Sequence, residues 1–285
     1  MNGVGVPLVT PFDEDGDVDE TALRELVAWV ETRGVDFLVP CGSNSEVELL
    51  TADERARVVE IVAAETDLPV LAGTGSPGRR ETLLATEDAA DAGADAALVV
   101  TPFYYDHSQA ALEEYYREVA DAAPLPIYLY SVPAYTGVAL EPETVGRLAS
   151  HPNVAGMKDS SGDVASFIQT KRATADADFE LMVGSGSVFA QALDVGAAGG
   201  VLALANVAPE AASDVYETHA TDPAAARERN AGLVGLNEAV TSEFGIPGLK
   251  WAMRERGAPA GRVRSPHQPP DEEAKAAIAA LLDEL

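Results

Sequence analysis

The chain has 285 residues, 47% hydrophobic and 23% charged, a globular composition within the size range of a single α/β barrel. Its 47 acidic side chains outnumber 19 basic ones, and the resulting net charge of -28 repels nucleic acid and anionic lipid, so neither is expected as a partner. No stretch is long and apolar enough to span a bilayer, and Met1-Asn-Gly-Val-Gly-Val6 lacks the basic-then-apolar pattern of a secretion signal, so a cytoplasmic location is expected.

In chain order, short apolar runs rich in Val, Leu and Ala alternate with helical patterns. Strands are expected at 4–10, 37–41, 70–73, 96–101, 127–132, 154–158, 181–184 and 200–204. They lack apolar-polar alternation, as strands of a parallel sheet buried on both faces do. Helices are expected after them at 20–32, 51–64, 81–92, 110–122, 142–149, 163–173, 187–195 and 210–219. Thr51-Ala-Asp-Glu54 has the form of a capping box, Pro142 suits a first helical turn, and Gly34, Gly93 and Gly196 suit helix ends. Eight strand-then-helix units predict a closed TIM (β/α)₈ barrel, with a doubly wound open sheet as the alternative. After residue 219 the alternation stops. Helical segments at 223–241, 246–256 and 271–285 have no strand between them, and 257–270, with four prolines and two glycines, reads as a loop. The expected organisation is a catalytic barrel at 1–221 with a C-terminal helical extension at 222–285.

A barrel of this kind builds its site at the carboxyl ends of its strands, and those ends carry a chemically coherent set. The second expected strand runs into Cys41-Gly-Ser-Asn-Ser-Glu46, a turn whose hydroxyl, amide and backbone N–H groups suit a carboxylate. The fourth ends in Thr101-Pro-Phe-Tyr-Tyr105 and the fifth in Tyr128-Leu-Tyr-Ser-Val-Pro133. The sixth ends in Lys158, followed at once by Asp-Ser-Ser-Gly162, and the seventh in Gly184-Ser-Gly-Ser187. A lysine at the apolar end of a buried strand loses solvation, which favours the neutral amine that attacks a carbonyl. Only four lysines occur, Lys158, Lys171, Lys250 and Lys275, so one at such an end is informative. An imine on Lys158 would act as electron sink for breaking a carbon–carbon bond, a nearby tyrosine would carry protons, and Ser43 and Asn44 would grip the carboxylate of a 2-keto acid. Any one of these tyrosines, taken alone, reads first as a packing residue with its hydroxyl at the surface.

The Gly42-Ser-Asn-Ser-Glu46 turn, Gly73-Thr-Gly75, Thr101-Pro-Phe-Tyr-Tyr105, Tyr130-Ser-Val-Pro133 with Thr136-Gly137, and Gly156-Met-Lys-Asp-Ser-Ser-Gly162 stand in the order seen in the dihydrodipicolinate synthase and N-acetylneuraminate lyase family. The resemblance continues through Gly245-Ile-Pro-Gly-Leu-Lys-Trp251 and Arg264-Ser-Pro266. It implies a lysine aldolase or lyase that needs neither metal nor organic cofactor, usually a homotetramer. It places Lys158 at the imine position and Tyr130 at the proton-transfer position. Tyr104 matches a tyrosine that completes the site, in many members from a neighbouring subunit, and Gly184 and Leu202 match positions lining the pyruvate pocket. Members that make the lysine precursor carry an arginine where this chain has Tyr135, and a second hydroxyl where it has Asn44. What remains looks most like the haloarchaeal 2-keto-3-deoxygluconate aldolases, in keeping with an acidic, lysine-poor surface suited to high salt. The substrate expected from the resemblance is 2-keto-3-deoxygluconate or its 6-phosphate, with Ser43, Asn44, Tyr135, Gly184 and Leu202 on the substrate. 4-Hydroxy-tetrahydrodipicolinate synthase is the alternative enzyme, and a catalytically silent keto-acid sensor a third reading.

Four other signals carry less. Gly73-Thr-Gly-Ser-Pro-Gly78 has dinucleotide-binding form, yet it sits in the third unit and Pro77 interrupts it, so it reads as a tight turn at the barrel mouth. His107, His151, His219 and His267 lack the spacing of a metal site, and no Gly-x-Ser-x-Gly elbow precedes a helix. Cys41, the single cysteine, can form no internal disulfide and fits a reducing compartment.

Overall fold

The computed structural model describes residues 1–285. Eight parallel strands run β1 (Gly3–Val6), β2 (Phe37–Leu38), β3 (Leu71–Gly73), β4 (Ala96–Val100), β5 (Ile127–Ser131), β6 (Val154–Asp159), β7 (Glu180–Val183) and β8 (Gly199–Val201). Their order is β2-β1-β8-β7-β6-β5-β4-β3, and a parallel bridge from Leu38 to Val70 joins the two ends, so the sheet closes into a barrel. An open doubly wound sheet is excluded by that closure.

The helices between strands are α1 (Glu20–Glu31), α2 (Ala52–Glu65), α3 (Arg79–Asp91), α4 (Gln109–Ala122), a four-residue α5 (Pro133–Thr136), α6 (Pro142–Leu148), α7 (Val164–Ala173), α8 (Phe189–Asp194) and α9 (Pro209–His219). Local chemistry sets their ends. Both halves of the Thr51–Glu54 capping box are made, Asp19, Ser108 and Asp163 accept N–H bonds at their helix starts, and Pro142 opens α6. Gly34, Gly93 and Gly196 take φ of +85°, +96° and +90° just past helix ends, a region that costs glycine no steric strain.

Side-chain alternation then divides the core. Phe37, Leu71, Leu98, Tyr128, Tyr130, Met182 and Val201 fill the barrel interior, while a larger apolar layer separates strands from helices. The C-terminal helices α10 (Pro223–Glu238), α11 (Gly245–Glu255) and α12 (Glu272–Leu282) pack back onto this body. α10 lies against α9 and the turn after β7, and α11 against α12. No helix is long and apolar enough to cross a membrane.

Several expected boundaries shift. The first strand stops at Val6 because Pro7 has no N–H to give the ladder. The eighth ends at Val201, where the chain winds into a 3₁₀ turn, Ala203–Asn206. The helix expected at 223–241 gives way after Glu238 to a π turn, Ala239–Glu243, in which Thr241 and Ser242 hydroxyls bond back to the Asn237 and Glu238 carbonyls.

Candidate active site

Parallel register brings the central pair together. Tyr130 on β5 and Lys158 on β6 are partner positions, so both side chains leave the sheet on the same face, toward the barrel axis. Lys158 is 3% exposed, and its Nζ lies 4.4 Å from the centroid of the Tyr130 ring. It enters no ion pair, whereas Lys250 is neutralised by Glu46. The strand end that carries Tyr130 is pinned from β4, because the Thr101 hydroxyl and N–H both donate to the Tyr130 carbonyl at 2.9 Å.

Gly184 lies against Lys158. A Cβ there would come within 1.9 Å of Ser160 Oγ and 3.0 Å of Lys158 Cε. Gly184→Ala is therefore expected to displace the amine, and since misplacement by about 1 Å can cost about 10²-fold, capture of a keto acid should slow to that order. A capture rate within twofold of the native protein's would show that the glycine is not needed.

Above Tyr130 opens a cavity of about 300 Å³ at the carboxyl ends of the strands. Ser43, Tyr130, Tyr135, Phe103, Ile246 and His267 are among the residues on its wall. Ser43 Oγ is 3.3 Å from Tyr130 Oη, which joins the β2 turn to the tyrosine. That turn, Ser43–Ser45, is a 3₁₀ coil held between two left-handed residues, Cys41 at φ +57° and Glu46 at φ +55°. At the start of such a turn the leading N–H groups, of Ser43 and Asn44, have no acceptor within it. Gly73 lets the turn sit tightly on β3, since a Cβ there would be 2.0 Å from the Cys41 carbonyl oxygen. The Gly73–Gly78 motif is thus a close-packing turn at the mouth, as its place in the third unit suggests. Burial pushes the Cys41 thiol up to about 12, so it stays protonated and serves as packing.

Some expected positions lie outside this cavity. Asn44 is half-buried on the same turn but does not face the space, and Lys158 and Gly184 are set back behind its wall, against Tyr130 and each other. At Leu202, just past β8, alternation points Val201 into the barrel and the Leu202 side chain outward into the helix-facing layer, fully buried. Tyr104 is 86% exposed at φ +79°, packed edge-on with Tyr105, and takes no part in the cavity of its own chain, where Phe103 stands instead.

The structure adds residues that sequence reading passed over. Glu46, fully buried, accepts from Lys250 Nζ at 3.1 Å, from the Arg264 N–H at 3.3 Å and from His267 Nδ1 at 3.1 Å. Lys250 Nζ also donates to the Thr10 and Arg262 carbonyls, each at 2.6 Å. Lys250, Arg264 and His267 all lie more than 200 residues from Glu46, so no local pattern reveals them. The one available signal was Lys250 itself, a rare lysine within the apolar face of α11.

A sequence profile of the Dihydrodipicolinate synthetase family matches residues 1–285. The chain belongs to this family. An uncharacterized DapA-like lyase of Halobacterium salinarum is 41% identical over 288 residues, covering 100% of this chain and 94% of that protein. A 4-hydroxy-tetrahydrodipicolinate synthase of Methanothrix thermoacetophila is 37% identical, covering 100% and 97%. Among solved structures, the chloride-inhibited dihydrodipicolinate synthase from Acinetobacter baumannii complexed with pyruvate superposes with a TM-score of 0.95 at 33% identity, covering 100% and 98%. The protein is therefore a lyase of the pyruvate-dependent aldolase class, in which the buried Lys158–Tyr130 pair occupies the barrel's carboxyl face.

Proposed function

We propose that this family member is a lysine-imine aldolase that reversibly cleaves 2-keto-3-deoxygluconate, or its 6-phosphate, to pyruvate and glyceraldehyde or its phosphate. The observation that carries the choice is the cavity wall beside Tyr130, which holds Tyr135 and no arginine or lysine. A synthase condensing pyruvate with aspartate semialdehyde needs a cation for the semialdehyde carboxylate, and a bidentate arginine is the usual answer.

The chemistry then follows from position. The Lys158 amine adds to the C2 carbonyl and water leaves, giving an imine. As the C3–C4 bond breaks, its electrons pass into the imine, and the C4 hydroxyl proton moves to Tyr130, whose own proton is shared toward Ser43 across their 3.3 Å contact. The aldehyde departs, the enamine takes a proton at C3, and water releases pyruvate. On balance the C4 hydroxyl proton is replaced on C3. Ser43 and the leading N–H groups of its turn, with Asn44 beside them, hold the pyruvate carboxylate. Tyr130→Phe is expected to lower kcat by about 10²- to 10³-fold while the imine still forms on Lys158. Equal loss of imine capture would instead assign the tyrosine to shaping the lysine's pocket.

Exposed Tyr104 supports assembly with a second copy that covers it, and the family resemblance supports a homotetramer in the cytoplasm. The net charge of -28 supports work at high salt, the condition in which assays belong. The deciding experiment is pyruvate release from 2-keto-3-deoxygluconate set against consumption of aspartate semialdehyde with pyruvate. Faster turnover of the semialdehyde would replace this reading with the synthase named among the relatives.

A further inference from the structure

His267 lines the same cavity and belongs to none of the steps above. Its loop is anchored by the neighbouring Arg264, whose guanidinium donates to the carbonyls of Gly16 at 2.7 Å and Leu49 at 2.8 Å and to the Glu54 carboxylate at 2.6 Å. The ring itself is held through Nδ1, 3.1 Å from Glu46 Oε1. A carboxylate only accepts, so Nδ1 is the donor in that bond, and in the neutral ring Nε2 carries the lone pair. Glu46 cannot swing away, because Lys250 fixes its other oxygen in a fully buried pair. The result is an imidazole of fixed orientation whose neutral form offers an acceptor nitrogen, on a wall that also holds Glu48 and no arginine or lysine.

We propose that His267 Nε2 accepts a hydrogen bond from the terminal hydroxyl of the aldehyde half of the substrate, making it the residue that selects an uncharged, hydroxyl-ended aldehyde over a phosphorylated or deoxygenated one. This rests on the aldolase reading above. The cavity's charge points the same way. A phosphate ester at neutral pH carries between one and a half and two negative charges, roughly, and would face Glu48 with no fixed cation to meet it. A hydroxyl meets an acceptor and brings no charge.

The test varies substrate and enzyme together. Pyruvate is condensed with glyceraldehyde, with lactaldehyde, which has a methyl in place of the terminal hydroxymethyl group, and with glyceraldehyde 3-phosphate. The native protein is expected to favour glyceraldehyde over lactaldehyde by about tenfold or more in kcat/KM, the size of one satisfied hydrogen bond. His267→Phe should collapse that ratio to within about twofold, and His267→Gln, which keeps an acceptor, should recover part of it. A variant that merely loosened the fold would slow both aldehydes and leave their ratio unmoved. A native ratio near one, or a ratio untouched by His267→Phe, would overturn the assignment, and so would a tenfold preference for the phosphorylated aldehyde. A native protein that condenses pyruvate with none of the three fails at the aldolase reading itself, a different result from a working aldolase blind to the hydroxyl.

Discussion

Alanine at position 158 is expected to lower kcat for pyruvate release by at least about 10³-fold and to abolish covalent capture of pyruvate by borohydride. The magnitude follows from what is lost. Without an amine there is no imine, and the electrons of the C3–C4 bond have no acceptor, so the remaining cavity can only bind. Lys158→Arg separates this from bulk and polarity, because it places a long basic side chain beside Tyr130 yet cannot condense with a ketone. Both variants should be equally inert. Folding is not expected to confound the result, since Lys158 is buried without a carboxylate partner and its removal strands no charge. Mass spectrometry after reduction should find the pyruvate adduct on Lys158 in the native protein. An adduct elsewhere, or one per cent activity in the alanine variant, would move the chemistry to another residue.

What could be read in the sequence was whatever local pattern determines. The barrel was legible because eight doubly buried strands each carry their own apolar run and several helices their own side-chain cap, as at Thr51–Glu54. Lys158 was legible because its strand turns polar within one residue of it, and Tyr130 because parallel register makes neighbouring strand ends converge. The outward turn of the Leu202 side chain depends on where β8 stops, and that is fixed by the 3₁₀ turn and not by the apolar run. The outward turn of Tyr104 is set by its backbone, at φ +79°, which leaves Phe103 on the wall of its own chain's cavity, and no apolar run encodes that angle. His267 was read for metal spacing alone, while its actual partner, Glu46, lies 221 positions away.

That distant network sets the second large effect. Lys250→Ala is expected to destabilise the fold by about 3–5 kcal/mol, the cost of stripping one partner from a buried ion pair. Both side chains are fully buried, so the Glu46 carboxylate would keep only the Arg264 N–H and His267, and the Thr10 and Arg262 carbonyls would lose their donor. For a chain of this size that amounts to a fall of about 6–20 °C in the thermal midpoint. Removing both charges with Lys250→Met and Glu46→Leu should recover much of the loss, since an apolar pair of similar volume asks for no solvation. Burial holds the Lys250 ammonium down to about 8, opposed by Glu46. The unfolded chain keeps its lysine protonated to higher pH, near 10.4, so between those values it binds more protons than the native state. The native protein should therefore gain stability from this group as pH rises from about 8 toward 10, and lose it again as pH falls back through 8. Denaturant titrations of the native protein and the double variant at pH 7 and pH 9.5 would show it, because only the native curve should move through this group. If Lys250→Ala unfolds within 2 °C of the native protein, the pair is an ornament of the interface, and the C-terminal helices are held to the Ser43 turn by packing alone.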